Sequence, residues 1–159
     1  MSFKRISALL LLLLLTVIPA VGSRAADADA DNTLTVTDDL GRTVTLQRPE
    51  RVACLMGSFA DIWYTAGGAD TLVAAAEDIW SSYELPLDRA AVQNLGESMA
   101  PNGEALLAAL PDLVIGSKNV SADTALLPAL EAADIPALYF DVANFNDYLR
   151  VLKVFTELT

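Results

Sequence analysis

Glu77, Asp78, Trp80 and Tyr83 gather two carboxylates and two aromatic rings into seven consecutive residues. Carboxylates can act as a general acid and base. Trp and Tyr offer flat apolar area with a polar tip, which suits a bulky, ring-bearing or chelate ligand. A plainer reading stands beside each. Trp80 can pack beneath its own loop, and surface acids are usually just solvated. Carboxylates adjacent in sequence do not by themselves flank a scissile bond. The same holds for Asp38-Asp39, which falls in a turn where Asp is expected anyway.

These residues need a scaffold, and the chain supplies an α/β one. Leu34–Thr37 and Thr43–Leu46 alternate polar and apolar around Asp38-Asp-Leu-Gly-Arg42, as two arms of a hairpin do. From Arg51 the pattern becomes strand, helix, strand, helix. Val52–Met56, Leu72–Ala76, Leu113–Ile115 and Ala137–Phe140 are short apolar runs suited to buried parallel strands. A helix is expected from Phe59 to about Ala66, with Ser58 as N-cap, Asp61 in the first turn and Gly67-Gly68 ending it. Glu77–Arg89 reads as a long loop with room for one helical turn, and Gln93–Gly96 as a short extended piece. Asn102 caps the helix that carries Glu104, and Pro111 stops it. Ser121 or Asp123 starts a helix through Ala133. Asn144 caps a last helix with Asp147 at its third position. Its apolar spacing, from Leu149 to Leu158, shows no stop signal. Right-handed crossovers then give a Rossmann-like parallel sheet with helices on both faces, preceded by the β-hairpin.

Ligands of open parallel sheets bind at the carboxyl ends of the strands. That rule selects Gly57-Ser58-Phe59, Glu77–Tyr83, Gly116-Ser-Lys118-Asn119 and Asp141-Val-Ala143. Ser58, Phe59, Glu77, Asp78, Trp80, Tyr83, Lys118 and Asn119 are therefore the candidate ligand contacts. Ser58 doubles as a helix cap, and the N–H groups behind it form a modest anion site. Lys118 is the one cation on these four loops. Trp63, inside a helix, reads as core. Cys54, in Val-Ala-Cys-Leu-Met, reads as an inert buried hydrophobe.

Composition excludes much else. The 159 residues suit one domain of ordinary size, and 53% are hydrophobic, enough for a substantial core. The net charge of −11 and the lack of a basic patch argue against nucleic acid. With no histidine, Ser-His-Asp and Cys-His catalysis and His-ligated zinc are ruled out. A single cysteine permits no intrachain disulfide. No GxGxxG, P-loop or GxSxG occurs. Lys4 and Arg5 precede an apolar run from Ile6 to Ala20, seven leucines long at Leu9–Leu15, and Ser23-Arg-Ala25 resembles a cleavage site. Residues 1–25 are expected to be a secretory signal peptide, with Ala28 as the second cleavage choice. The alternative, an uncleaved anchor, would rest on the uncharged run Ile6–Ser23, short for a span. The one cysteine, Cys54, lies far too late after that run for a lipoprotein anchor, so none is expected. Cleavage would give an exported, non-spanning, periplasmic or secreted product. Residues 26–32, alternating Ala and Asp, are expected to form a disordered leader.

Several segments, taken in order, resemble the substrate-binding proteins of iron-siderophore and cobalamin ABC importers. They are Asp39-Leu-Gly-Arg-Thr-Val44, Pro49-Glu-Arg-Val52, Ala66-Gly-Gly-Ala-Asp-Thr-Leu-Val73 and Asn94-Leu-Gly96. With them come the Glu104 helix with Pro111-Asp-Leu-Val-Ile115, and Ala132-Ala-Asp-Ile-Pro136. Ser58-Phe-Ala-Asp-Ile-Trp63, Glu77-Asp78 and Phe145-Asn-Asp-Tyr-Leu149 are similar to a less characterised branch. The resemblance implies two α/β lobes joined by a long helix, with ligand held between them. On that reading residues 33–143 are the N-terminal lobe, residues 144–159 begin the inter-lobe helix, and the chain is truncated. The resemblance also implies that Glu104 docks on arginines of an ABC transporter permease. The physical alternative for Glu104 is a favourable charge at a helix start, worth about 0.3–1 kcal/mol. The implied ligand is a small metal chelate, a ferric siderophore or a cobalamin. No resident cofactor, metal or catalysis is implied. The acids and aromatics of this half suit a neutral or cationic chelate such as a corrinoid somewhat better than an anionic one.

Two other functions fit the residues less fully. One is an exported α/β enzyme fragment using Glu77 or Asp78 as acid or base. The other is an acidic surface module that binds a partner without a small ligand. Ligand-induced stabilisation, turnover, or a stable complex without small ligand would tell the three apart.

Overall fold

The computed structural model describes residues 33–159. The expected signal peptide and leader lie outside these described residues. Strands β1 (Thr33–Thr37) and β2 (Thr43–Gln47) pair antiparallel, with Thr33 opposite Gln47 and Thr37 opposite Thr43. The main sheet follows: β3 (Val52–Cys54), β4 (Leu72–Ala75), β5 (Gln93–Asn94), β6 (Leu113–Ser117) and β7 (Ala137–Phe140). All its pairings are parallel, in the order β5-β4-β3-β6-β7. The helices are α1 (Gly57–Thr65), α2 (Asp78–Ser81), α3 (Gly103–Ala108), α4 (Ser121–Ala125), α5 (Leu127–Ala132) and α6 (Phe145–Leu158). The expected α/β architecture and the hairpin are thus present. Among the described residues no helix is long and apolar enough to cross a membrane.

Side chains alternate across the strands and build one core on each face. Val52, Cys54, Ile115, Leu138 and Phe140 meet Ile62 and Trp63 of α1 and Val151, Phe155 and Leu158 of α6. Ala53, Leu55, Val114 and Tyr139 meet Leu106 of α3 and Leu130 of α5. Trp63 stacks edge-on against Phe155, with ring centroids 5.3 Å apart. As expected, Trp63 and Cys54 are fully buried, and burial pushes the Cys54 thiol well above its usual range.

Three local expectations are corrected. Helix α1 starts two residues before Phe59, so its N-cap is Met56; Ser58 is inside the first turn and Asp61 beyond it. The cap comes instead from a distant side chain, described below. The single helix expected from Ser121 to Ala133 is broken at Leu126 into α4 and α5. Pro128 explains the break, since it has no N–H to donate and its ring crowds the carbonyl four residues back. Strand β6 runs on to Ser117, two residues past Ile115.

The other caps follow the sequence. Gly67 takes φ +97°, and the Gly67 and Gly68 N–H groups donate to Tyr64 O and Trp63 O at 3.0 Å each, closing α1 with a Schellman turn. The Asn102 side chain accepts from Glu104 N and Ala105 N. Asn144 and Asp147 form a reciprocal capping box on α6.

Candidate functional site

The strand order marks a candidate site. The chain moves from β3 to β4 and β5 on one side, then crosses back to β6 and β7 on the other. The direction reverses between β3 and β6, and the crevice at such a reversal is where open α/β sheets take ligands. The loops meeting there are Gly57-Ser58 after β3 and Lys118-Asn119 after β6.

Ser58 is half-buried beside this crevice. Its neighbour Gly57 donates its N–H to Asp78 Oδ1 at 3.0 Å. A Cβ on Gly57 would fall 2.7 Å from Tyr83 Cδ2 and 2.8 Å from Asp78 Cγ. Only glycine lets Asp78 and Tyr83 close over this turn, which Gly57 shares with its neighbour Ser58. Tyr83 keeps 40% of its surface exposed. Across the reversal, Lys118 Nζ lies 3.5 Å from Asp141 Oδ2, joining the loops after β6 and β7. Asn119 is exposed, and its backbone N–H donates to Ser117 Oγ.

The remaining candidates are held elsewhere. Phe59 is buried, its ring 6.4 Å from Phe140, and faces the core. Glu77 pairs with Arg89 at 3.1 Å and accepts from the Asn94 side chain. Trp80 donates from Nε1 to Leu87 O at 3.2 Å, and the Arg89 guanidinium sits 4.7 Å from its ring centre. Glu77 and Trp80 thus fasten the loop between α2 and β5. Glu104 is exposed on α3, and its carboxylate has no partner among the described residues.

Two features escaped the sequence reading. Phe145, 71% exposed, stacks on Tyr148 with rings nearly parallel at 8° and centroids 6.1 Å apart. This aromatic shelf follows the β7 loop, at the opposite end of the sheet edge from Tyr83. In the sequence both rings lie in Phe145-Asn-Asp-Tyr-Leu149, a segment noted for its resemblance but not for a ring pair. The second feature is Asp123, fully buried under the β6–α4 loop. Its Oδ2 accepts the Ser117 N–H at 2.8 Å, while Oδ1 has no partner. Burial pushes its carboxyl up to about 6, against the opposing pull of the Ser117 bond. The Tyr139 hydroxyl donates to Asp123 O at 3.0 Å and is itself pushed up to about 12, chiefly by burial. Among the described residues no three acidic or cysteine side chains converge on a metal position.

The edge can therefore do recognition chemistry. It offers a polar centre at Ser58, Lys118 and Asn119, with exposed rings at either end. No curated protein matches the chain. Several solved structures share its fold. SirA of Staphylococcus aureus, complexed with staphyloferrin B, is 21% identical with a TM-score of 0.59, covering 79% of this chain and 43% of that one. The siderophore-binding protein BauB, bound to two acinetobactin molecules and ferric iron, is 23% identical with a TM-score of 0.58, covering 79% and 46%. The heme-binding protein HmuT is 18% identical with a TM-score of 0.62, covering 79% and 42%. The chain spans less than half the length of each. A family model described as periplasmic binding protein matches residues 52–159, two-thirds of the sequence including the whole reversal-point edge, and the chain belongs to that family.

Proposed function

We propose that this chain is the N-terminal lobe of an exported solute-binding protein that hands a metal chelate to the permease of an ABC importer. Residues 33–143 form the lobe and residues 144–159 begin the inter-lobe helix, after a signal peptide over residues 1–25. The observation that carries this reading is the sheet edge itself. Its polar centre of Ser58, Lys118 and Asn119 is bracketed by exposed Tyr83 and Phe145 rather than by an acid–base pair. A flat chelate can lie on the rings while its polar rim meets the centre. The ligand class is an iron chelate or a corrinoid. The bound staphyloferrin B and ferric acinetobactin of the structural neighbours favour the first. The scarcity of cations at this edge favours a neutral or cationic chelate.

Ligand and docking functions separate experimentally. The full-length protein is titrated with ferric staphyloferrin B, ferric acinetobactin, hemin and cyanocobalamin, with thermal unfolding and calorimetry as readouts. A ligand that binds only the folded state raises the melting temperature by mass action. Ser58→Ala and Asn119→Ala should weaken that ligand and leave the ligand-free melting temperature unchanged. Glu104→Arg should abolish uptake in cells while sparing affinity, because it reverses the charge offered to a permease arginine. A full-length protein stabilised by none of these chelates would sink the ligand assignment. Undiminished uptake with Glu104→Arg would sink the docking role.

A further inference from the structure

A groove of about 540 Å³ lies between α3 and the α4–α5 pair, on the sheet face opposite α1 and α6. Its floor is Leu106 and Leu130, both fully buried. Its walls are Leu107, Leu126 and Ala129. Gly103 sets how near the walls stand, since a Cβ there would meet Leu126 Cδ2 at 3.0 Å. The rim holds Asn102 and Glu104. Asn102 Oδ1 is occupied by the cap of α3, so Glu104 is the one charged group lining the groove and its carboxylate is unpaired among the described residues. Leu110, just past the end of α3 at φ +49° and 72% exposed, adds an apolar side chain beyond the groove's own lining.

An apolar trough with a single unpaired carboxylate among the described residues selects a partner of matching form. It fits a segment that presents a cation and, about one helical turn away, a bulky apolar side chain. The chain's net charge of −11 repels a second copy and attracts a cationic surface. We propose that Glu104 and this groove form one two-part docking surface, on which a permease segment seats an arginine and an adjacent apolar side chain together. The inference rests on the importer reading above and adds the apolar half of the contact. Apolar anchors in pockets hold most of an interface's affinity, while an exposed ion pair adds chiefly orientation.

The test places a photo-crosslinking phenylalanine at Leu110 of the full-length protein in its native cells, and identifies the products by mass spectrometry. The expected product is a polytopic permease subunit. Its yield should fall about tenfold or more with Ala129→Trp, which fills the groove, and likewise with Glu104→Gln. Leu107→Asp, a like charge beside Glu104, provides a second groove variant should Ala129→Trp lower the melting temperature. Lys153→Trp, on the exposed side of α6, should leave the yield unchanged. A permease product that drops with Glu104→Gln but not with either groove variant would overturn the groove while keeping the importer reading. A product consisting of a second copy, or of the chain's own N-terminal segment, would overturn the proposed occupant. No permease product from a protein that binds a chelate would overturn both the docking surface and the delivery step.

Discussion

Asp78 caps a helix to which it does not belong. Its carboxylate accepts the Gly57 N–H at 3.0 Å, so the loop after β4 completes the helix after β3. Two of the four loops at the carboxyl edge of the sheet are locked to each other by this bond. Asp78→Ala should cost about 1 kcal/mol, the usual loss for an N-cap acceptor, and Asp78→Asn much less because an acceptor remains. Urea unfolding measures both. Equal stability for Asp78→Ala and wild type would mean that the contact holds nothing.

Gly68 is required for another reason. A Cβ there would fall 2.1 Å from Trp63 Nε1, the group that donates to Gly68 O at 2.8 Å and Thr71 Oγ1 at 3.0 Å. Gly68→Ala must displace a fully buried indole, and overpacking of this kind costs about 1–3 kcal/mol. Gly67→Ala strains only a positive φ with open space around it. Gly68→Ala should therefore melt lower than Gly67→Ala and lose the near-ultraviolet signal of Trp63. The reverse order of melting temperatures would refute the packing argument.

Local grammar was legible in the sequence wherever it depends on neighbouring residues. The Asn102 cap, the Asn144–Asp147 box and the Gly67-Gly68 stop are each complete within a few residues, and the strands follow from their apolar runs. The misses involve partners far along the chain. Ser58 looked like a cap because Ser is a good one, but Asp78 supplies the acceptor from 21 residues away. Asp38 and Asp39 looked like ordinary turn residues, yet both bind residues about 100 positions later. For the candidate site, the carboxyl-end rule could nominate loops but not orient side chains: Phe59 could not be placed in the core without knowing which way α1 turns.

Asp123 gives stability a readable pH dependence. Its carboxyl is raised from 3.8 to about 6 in the folded chain, so the folded state holds a proton that the unfolded state releases. The associated stability is complete below about pH 4 and is lost as pH rises through about 6. Asp123→Asn keeps an acceptor for the Ser117 N–H and removes the titration. Wild type minus Asp123→Asn unfolding free energy, measured from pH 4 to 7, should fall across this window. A flat difference would show that Asp123 stays ionised throughout.

The hairpin turn seals the exposed edge of the main sheet. On the outer side of β7, Ala137 O accepts from Arg42 Nη2 at 2.7 Å, and Tyr139 N donates to Asp38 Oδ2 at 3.3 Å. Tyr139 O accepts the Asp39 N–H at 2.9 Å, and Asp141 N donates to Asp39 Oδ2 at 2.7 Å. Three turn residues thus satisfy backbone groups that would otherwise template pairing with another chain. Asp38 is nearly buried and also accepts from Leu40 N, Arg42 N and Arg42 Nε at 3.0–3.1 Å, whereas Asp39 is shared with the more exposed Arg150. Asp38→Ala should therefore cost about 2–3 kcal/mol and Asp39→Ala about 1, as expected for losing charge-assisted bonds at a buried and an open site. Beyond the stability loss, Asp38→Ala should open the β7 edge and raise the dimer fraction in sedimentation. Arg42→Ala, which leaves the Tyr139 groups covered, should do so less. If Asp38→Ala stays monomeric at concentrations where it remains folded, the turn stabilises the lobe without guarding its edge.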